Sequence, residues 1–351
     1  MTLVVSVARS QNTQQPAWPQ TPPSVANSPS PPTSDEPLRA AKDLLDQIDA
    51  HPGEDPLPVT LDELNRLTTV LQSADPANPW LGYLYGRMYA FSARKGDAID
   101  QLRRFVETRE GRNEWKAFRL LGDLFAAEFP RLATTNYRRA VELNPIEPSA
   151  LMGLSVCAGK TGDRDEALRL ARQAAETDGR RTVRYISHLA KTLASMKQRD
   201  EAEREALSAL RLAEKDVGDR PGVRGPLQTL AAQYDLLIDI VGGRIGETAG
   251  VNADDYIRIS DYMALRTEVA EQLARHDRLT ILQHGMDAAK ANPSPLLVER
   301  YAAALAEVGR TDEAIAQLEK LLALEPDNAP AKERLSKLRA SPKQPGSTPR
   351  P

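Results

Sequence analysis

The chain has 351 residues, 46 Lys and Arg against 49 Asp and Glu, a net charge of −3 and a pI near 6.0. That balance argues against a bulk nucleic-acid binder, which would be basic, and the single cysteine, Cys157, excludes an internal disulfide and a Cys-rich metal site. No apolar run approaches the roughly 18 residues of a membrane-spanning helix.

Residues 3–7 are a short apolar run with no basic segment before it, and Ala8-Arg9-Ser10 fits a small-x-small cleavage site. Two readings stay open: the end of a signal peptide whose start lies upstream of Met1, or a disordered N-terminus. The first implies a periplasmic or exported protein, the second a cytoplasmic one. Residues 1–35 are expected to be disordered, because the Pro-, Ser- and Gln-rich stretch from residue 11 cannot bury enough apolar surface to offset chain entropy. Its Pro-Pro steps fit a spacer better than a ligand for an SH3-like groove. The tail over 341–351 has the same composition and the same expectation.

Order is expected from residue 36. Leu38, Leu44, Leu45 and Ile48 have helical spacing, ended by Pro52-Gly53. A second helix is predicted from Thr60, whose spacing to Glu63 is that of a capping box, and Asp75-Pro76 ends it. Residues 36–76 thus predict a helical cap or degenerate repeat. A small residue then recurs: Ala98, Ala133, Ala167 and Ala202 lie 35, 34 and 35 residues apart, and Ala314 repeats the phrase near the C-terminus. A period of about 34 residues predicts a helical repeat array. Four helix pairs are expected over 79–216 and two over 262–328, with a capping helix over 329–340. From Ala202 to Ile281 the spacing is 79 residues, about 11 more than two periods, so 217–261 is predicted to be an irregular helical insertion or degenerate repeat.

Within each unit the residues resemble the tetratricopeptide repeat, whose first helix carries W-x₂-L-G-x₂-Y, whose second carries A-x₃-F, and which a proline closes. The second unit matches through Trp115, Leu121-Gly122, Phe125, Ala133, Tyr137, Ala140 and Pro145; the sixth through Tyr301-Ala302, Leu305, Ala314 and Pro326. Phe105 replaces the usual alanine in the first unit, and Ile281 and Gly285 depart from the pattern in the fifth. The resemblance implies an all-α, right-handed superhelical solenoid of antiparallel helix pairs with disordered tails. It also implies a non-catalytic scaffold for protein–protein interaction, because such arrays present surfaces rather than catalytic clefts.

Candidate chemistry is sparse. His51, His188, His276 and His284 lack metal-ligand spacing; His276 and His284 beside Asp277 and Asp287 form the best metal candidate, against an ordinary helix surface. Cys157 sits mid-helix and reads as a buried thiol. The glycines at 242–250 lack dinucleotide-loop spacing and read as a helix cap followed by a loop. Carboxylates such as Asp163, Asp165 and Glu166 suit first helical turns. The remainder outside the repeats is too small for a catalytic domain, so neither an enzyme nor a cofactor is expected.

In the resembled fold, the first helix of each pair lines a concave groove. Its register selects Trp80, Tyr83 and Arg87 in the first unit, Arg119 in the second and Lys160 in the third. Arg184 and Lys191 follow in the fourth and Arg266 in the fifth. This basic bias in a slightly acidic protein predicts a protein or peptide partner with an acidic segment. The alternatives are a solvated face of generic charge and an exported array that self-associates or organises an envelope complex. The pattern does not reproduce the Asn/Lys carboxylate clamp of chaperone-binding family members.

Overall fold

The computed structural model describes residues 35–49, 58–247, 253–289 and 293–340. Every regular element among them is helical, and no strand occurs among the described residues. The expected disordered tails, His51 and the Pro52-Gly53 stop lie outside the described residues, apart from Asp35, which opens the first helix.

Two helices, α1 (Asp35–Asp49) and α2 (Pro58–Ala74), precede four regular pairs. α2 starts two residues before Thr60. The Glu63 carboxylate pairs with Arg66 rather than closing a capping box. The pairs are α3 (Trp80–Phe91) with α4 (Lys95–Glu107), α5 (Trp115–Phe125) with α6 (Pro130–Leu143), α7 (Pro148–Thr161) with α8 (Arg164–Thr177), and α9 (Val183–Ser195) with α10 (Arg199–Asp219). Local chemistry sets their starts. Pro130 and Pro148 occupy first-turn positions where no N–H is needed. The side chains of Glu114, Glu147 and Asp163 accept N-terminal N–H groups that have no intrahelical partner.

The recurring alanines are the packing contacts of this stack. Ala98, Ala133, Ala202 and Ala314 are fully buried and Ala167 nearly so. Small residues let helix axes approach toward the short end of the usual spacing of about 8–10 Å. One close contact joins two units. Tyr137 of α6 lies between Gly122 of α5 and Gly153 of α7, and a Cβ at Gly122 would sit 2.6 Å from its ring carbons. Phe105, the departure from the pattern, is buried against Trp80 and Tyr83 with ring centroids 5.0 and 5.4 Å apart. It replaces the alanine contact with an aromatic cluster.

The chain departs from its period after α10. Where an irregular segment and then a two-helix fifth repeat over 262–294 were expected, two long helices stand: α11 (Arg224–Glu247) and α12 (Ala253–Ala289). The 37 residues of α12 contain no proline and one glycine, Gly285, near its end. Nothing at the expected turn, around 272–278, interrupts the helix. Likewise α11 runs through Gly242 and Gly243 instead of being capped there. Gly243 serves a close approach: the Arg199 guanidinium lies on it, 2.6 Å from where a Cβ would be. The first turn of α12 is pinned by a buried ion cluster. Arg244 donates to Glu203 at 2.7 Å and pairs with Asp255 at 3.4 Å, and Arg258 pairs with both carboxylates.

The array ends with α13 (Pro295–Glu307), α14 (Thr311–Leu324) and α15 (Ala329–Ala340). Two apolar cores result. One runs from Ala41 to Val269, the other from Leu279 to Leu335, and α12 contributes to both. No helix among the described residues is long and apolar enough to cross a membrane.

Candidate protein-binding groove

The first helices of successive pairs touch one another. α5 packs on α7, α7 on α9 and α9 on α11, so these helices form one continuous face. Side chains tie the row together. The Ser187 hydroxyl of α9 donates to Gln233 Oε1 of α11 at 2.6 Å. Ser155 Oγ of α7 donates to the Ala167 carbonyl at 2.7 Å and lies 2.8 Å from His188 Nε2 of α9. With its own proton committed to Ala167, Ser155 accepts from the imidazole, an arrangement opposite to that of an activated nucleophile. Burial pushes His188 down to about 4, helped by the nearby charges of Lys191 and Arg184.

The sequence-selected residues divide into three groups. Trp80, Tyr83 and Arg87 are covered by α1. Lys42 lies 3.0 Å from the Trp80 ring centroid, and the buried Arg87 guanidinium donates twice to Asp49, at 2.7 and 3.1 Å. Burial raises the Tyr83 hydroxyl to about 12. Lys116 of α5 is likewise paired, with Asp46 of α1. The second group is tied within the array. Arg119 donates to Asp123 at 2.7 Å, and the other oxygen of that carboxylate accepts the Tyr137 hydroxyl at 2.7 Å. Lys160 Nζ, on an exposed side chain, donates to the Ala126 carbonyl at 2.6 Å. The third group, Arg184 and Lys191, is exposed and has no ion-pair partner among the described residues. Together they place two positive charges on one face of α9, either side of His188.

Arg266 stands apart. It was placed in the groove as part of a first helix, but α11 takes that position by packing on α9, and α12 is the second helix of its pair. Arg266 makes its ion pair with Asp235 of α11 at 2.9 Å. The other chemical candidates do not converge. Asp277 is held by Arg224 at 2.8 Å, and among the described residues no group of three or more His, Cys, Asp or Glu could hold a metal. Cys157 is buried, and burial raises its thiol.

Sequence reasoning missed the most consequential residues of this face, Lys42, Asp46 and Asp49. Their helix was legible from its apolar spacing, but its pairing reaches 38 residues along the chain to Arg87 and 70 to Lys116. The only signal was composition: α1 carries five acidic residues against Arg39 and Lys42.

The sequence model of the tetratricopeptide repeat family matches residues 295–338. No curated protein matches the chain. Among solved structures, MamA is similar at 23% identity, over 45% of this chain and 92% of that one, with a TM-score of 0.39. A tetratricopeptide-repeat protein of Thermus thermophilus aligns at 19% identity, over 59% and 100%, with a TM-score of 0.44. YrrB, a tetratricopeptide-repeat protein with an unusual peptide-binding site, aligns at 22% identity, over 49% and 93%, with a TM-score of 0.37. Residues 295–338 thus carry a tetratricopeptide repeat, and the described residues upstream of it form an all-helical array of helix pairs.

Proposed function

We propose that the protein is a non-catalytic scaffold that binds an acidic segment of a protein partner along the face formed by α3, α5, α7 and α9. One observation carries this reading: the chain's own acidic helix lies on the cations at the start of that face. Asp49 and Asp46 of α1 meet Arg87 and Lys116. Trp80 and Tyr83 belong to this occupied part of the face. Farther along, Arg184 and Lys191 present the same charge with no such occupant among the described residues, and Arg119 and Lys160 lie between the two parts. A face lined by one sign of charge attracts and retains the opposite sign, most strongly at low ionic strength.

The test uses the full chain and a fluorescein-labelled peptide with the sequence of α1 (DEPLRAAKDLLDQID) as an acidic probe. Binding followed by anisotropy should weaken about tenfold or more in the double variant Arg184→Glu, Lys191→Glu, since each reversal removes an attraction and adds a repulsion. It should weaken in the wild type as salt is raised. Equal binding by wild type and variant would overturn the proposal.

A further inference from the structure

We propose that α1 is a displaceable lid: it closes a carboxylate site formed by Arg87, Tyr83 and Lys116, and an acidic partner segment enters by taking the places of Asp46 and Asp49. The proposal rests on the acidic-partner reading above and adds to it regulation of the same site by the chain itself.

α1 is held differently from the other first helices. Of its 15 residues, Pro37, Ala41 and Leu45 are buried, whereas the shorter α5, α7 and α9 bury four, six and six. It packs on α2 and meets α3 and α5 through long side chains. Asp49 reaches Arg87, Asp46 reaches past α3 to Lys116, and Lys42 lies over the Trp80 ring. Both carboxylates are reachable by water, the Asp46 side chain being 60% exposed and that of Asp49 27%. Ion pairs of this kind hold weakly and yield to salt and to competing anions.

Beneath the lid the site is built but not fully satisfied. The Arg87 side chain is 4% exposed, a buried cation that requires a carboxylate. The Tyr83 hydroxyl is also buried, and it has no hydrogen-bond partner among the described residues. Burial raises it to about 12, so at neutral pH it is a neutral donor, and Arg87 and Asp49 are the charges that act on it most. Asp49 commits both of its oxygens to Arg87, at 2.7 and 3.1 Å. α1 therefore satisfies the cation and leaves the phenol unmet, and a buried donor without an acceptor is costly. A segment carrying several carboxylates can serve Arg87, Tyr83 and Lys116 together. α1 is thus a ligand of the right chemistry and incomplete fit, which is what a competitor that gives way requires. A lid open in about one molecule in ten weakens apparent affinity about tenfold, without altering the site itself.

The test uses the full chain and fluorescein-labelled decaglutamate, with binding followed by anisotropy at low salt. The double variant Asp46→Asn, Asp49→Asn should bind the probe about tenfold more tightly than the wild type, because the lid loses its ion pairs while keeping Ala41 and Leu45. Adding Arg87→Gln should abolish that gain. Tyr83→Phe should weaken binding about threefold or more without lowering the melting temperature, since the hydroxyl bonds nothing in the closed form. In the wild type, saturating probe should speed amide exchange over α1, read by mass spectrometry. Unchanged exchange over α1, no gain from the two asparagines, a gain that persists with Arg87→Gln, or binding indifferent to Tyr83→Phe would each overturn the lid. If binding nevertheless falls in Arg184→Glu, Lys191→Glu, the groove reading stands without it. If binding ignores those two reversals while the α1 results hold, the site under α1 stands and the outer groove does not. No binding by any variant overturns both.

Discussion

The contact of Tyr137 with two glycines makes a sharp energetic prediction. Adding one methyl group at Gly122 places a carbon 2.6 Å from ring atoms of Tyr137, where relaxed carbon contacts lie at about 3.5–4.0 Å. The ring must retreat by about 1 Å, yet Gly153 of the next unit closes its other side and the hydroxyl is held by Asp123. Overpacking of this kind costs about 1–3 kcal/mol. Gly122→Ala is therefore expected to destabilise, although alanine is otherwise better than glycine in a helix by about 0.8–1 kcal/mol. Removing the ring should reverse the sign. Tyr137→Ala alone opens a cavity costing about 3–5 kcal/mol. In that background Gly122→Ala meets no obstacle and should stabilise by up to about 1 kcal/mol. The propensity gain is common to both backgrounds and cancels, so the double-mutant cycle should give a coupling of about 1–3 kcal/mol, well above the roughly 0.3–0.5 kcal/mol scatter of independent sites. Urea unfolding followed by circular dichroism measures it. Additive effects, or a stabilising Gly122→Ala in the wild-type chain, would refute the close-approach account of this unit contact.

Two further perturbations test other parts of the molecule. His188 titrates near 4 when folded and near 6.5 when unfolded, so between those values the unfolded chain binds the proton and the folded chain does not. Stability should fall as pH drops from about 6.5 to 4, by at most about 3 kcal/mol, and His188→Gln should flatten the urea midpoint across that window; a midpoint with unchanged slope would discount the burial of His188. Glu203→Ala removes one of the two carboxylates that Arg244 and Arg258 share while Asp255 stays in place, so the loss should fall below the roughly 3–5 kcal/mol of a buried charge left with no partner. The loss should appear as faster amide exchange in the first turns of α12, and unaltered exchange there would count against the cluster as the anchor of that helix.

What was legible in the sequence is what repeats. Ala98, Ala133, Ala167, Ala202 and Ala314 announce helix pairs because packing two helices closely demands a small residue at the same place each time, and all five are buried. The period misled where the sequence stopped obeying it. Dividing the interval from Ala202 to Ile281 by about 34 imposed a turn near 272–278, where Leu273, Ala274 and Arg275 are ordinary helix formers and no breaker occurs. Reading breakers before periods would have given α12 as one helix. The groove was legible by face but not by partner. Register assigned Arg87 to the right helix, but its carboxylate comes from Asp49 in another helix, and only tertiary structure shows that the charge is already neutralised. For His188 the sequence shows only that metal-ligand spacing is lacking, because its partner, Ser155, lies a whole repeat away.

The two apolar cores have a consequence for how the molecule opens. In a repeat array, cooperativity passes from unit to unit through shared buried surface. Here that surface lapses along α12 between Val269 and Leu279, where only the partly buried Leu273 and the half-polar His276 intervene. The helices α13 to α15 are therefore expected to exchange their amide protons at a lower free energy than the four regular pairs. Beyond α12, the two blocks meet where Val308 lies close to Gly222.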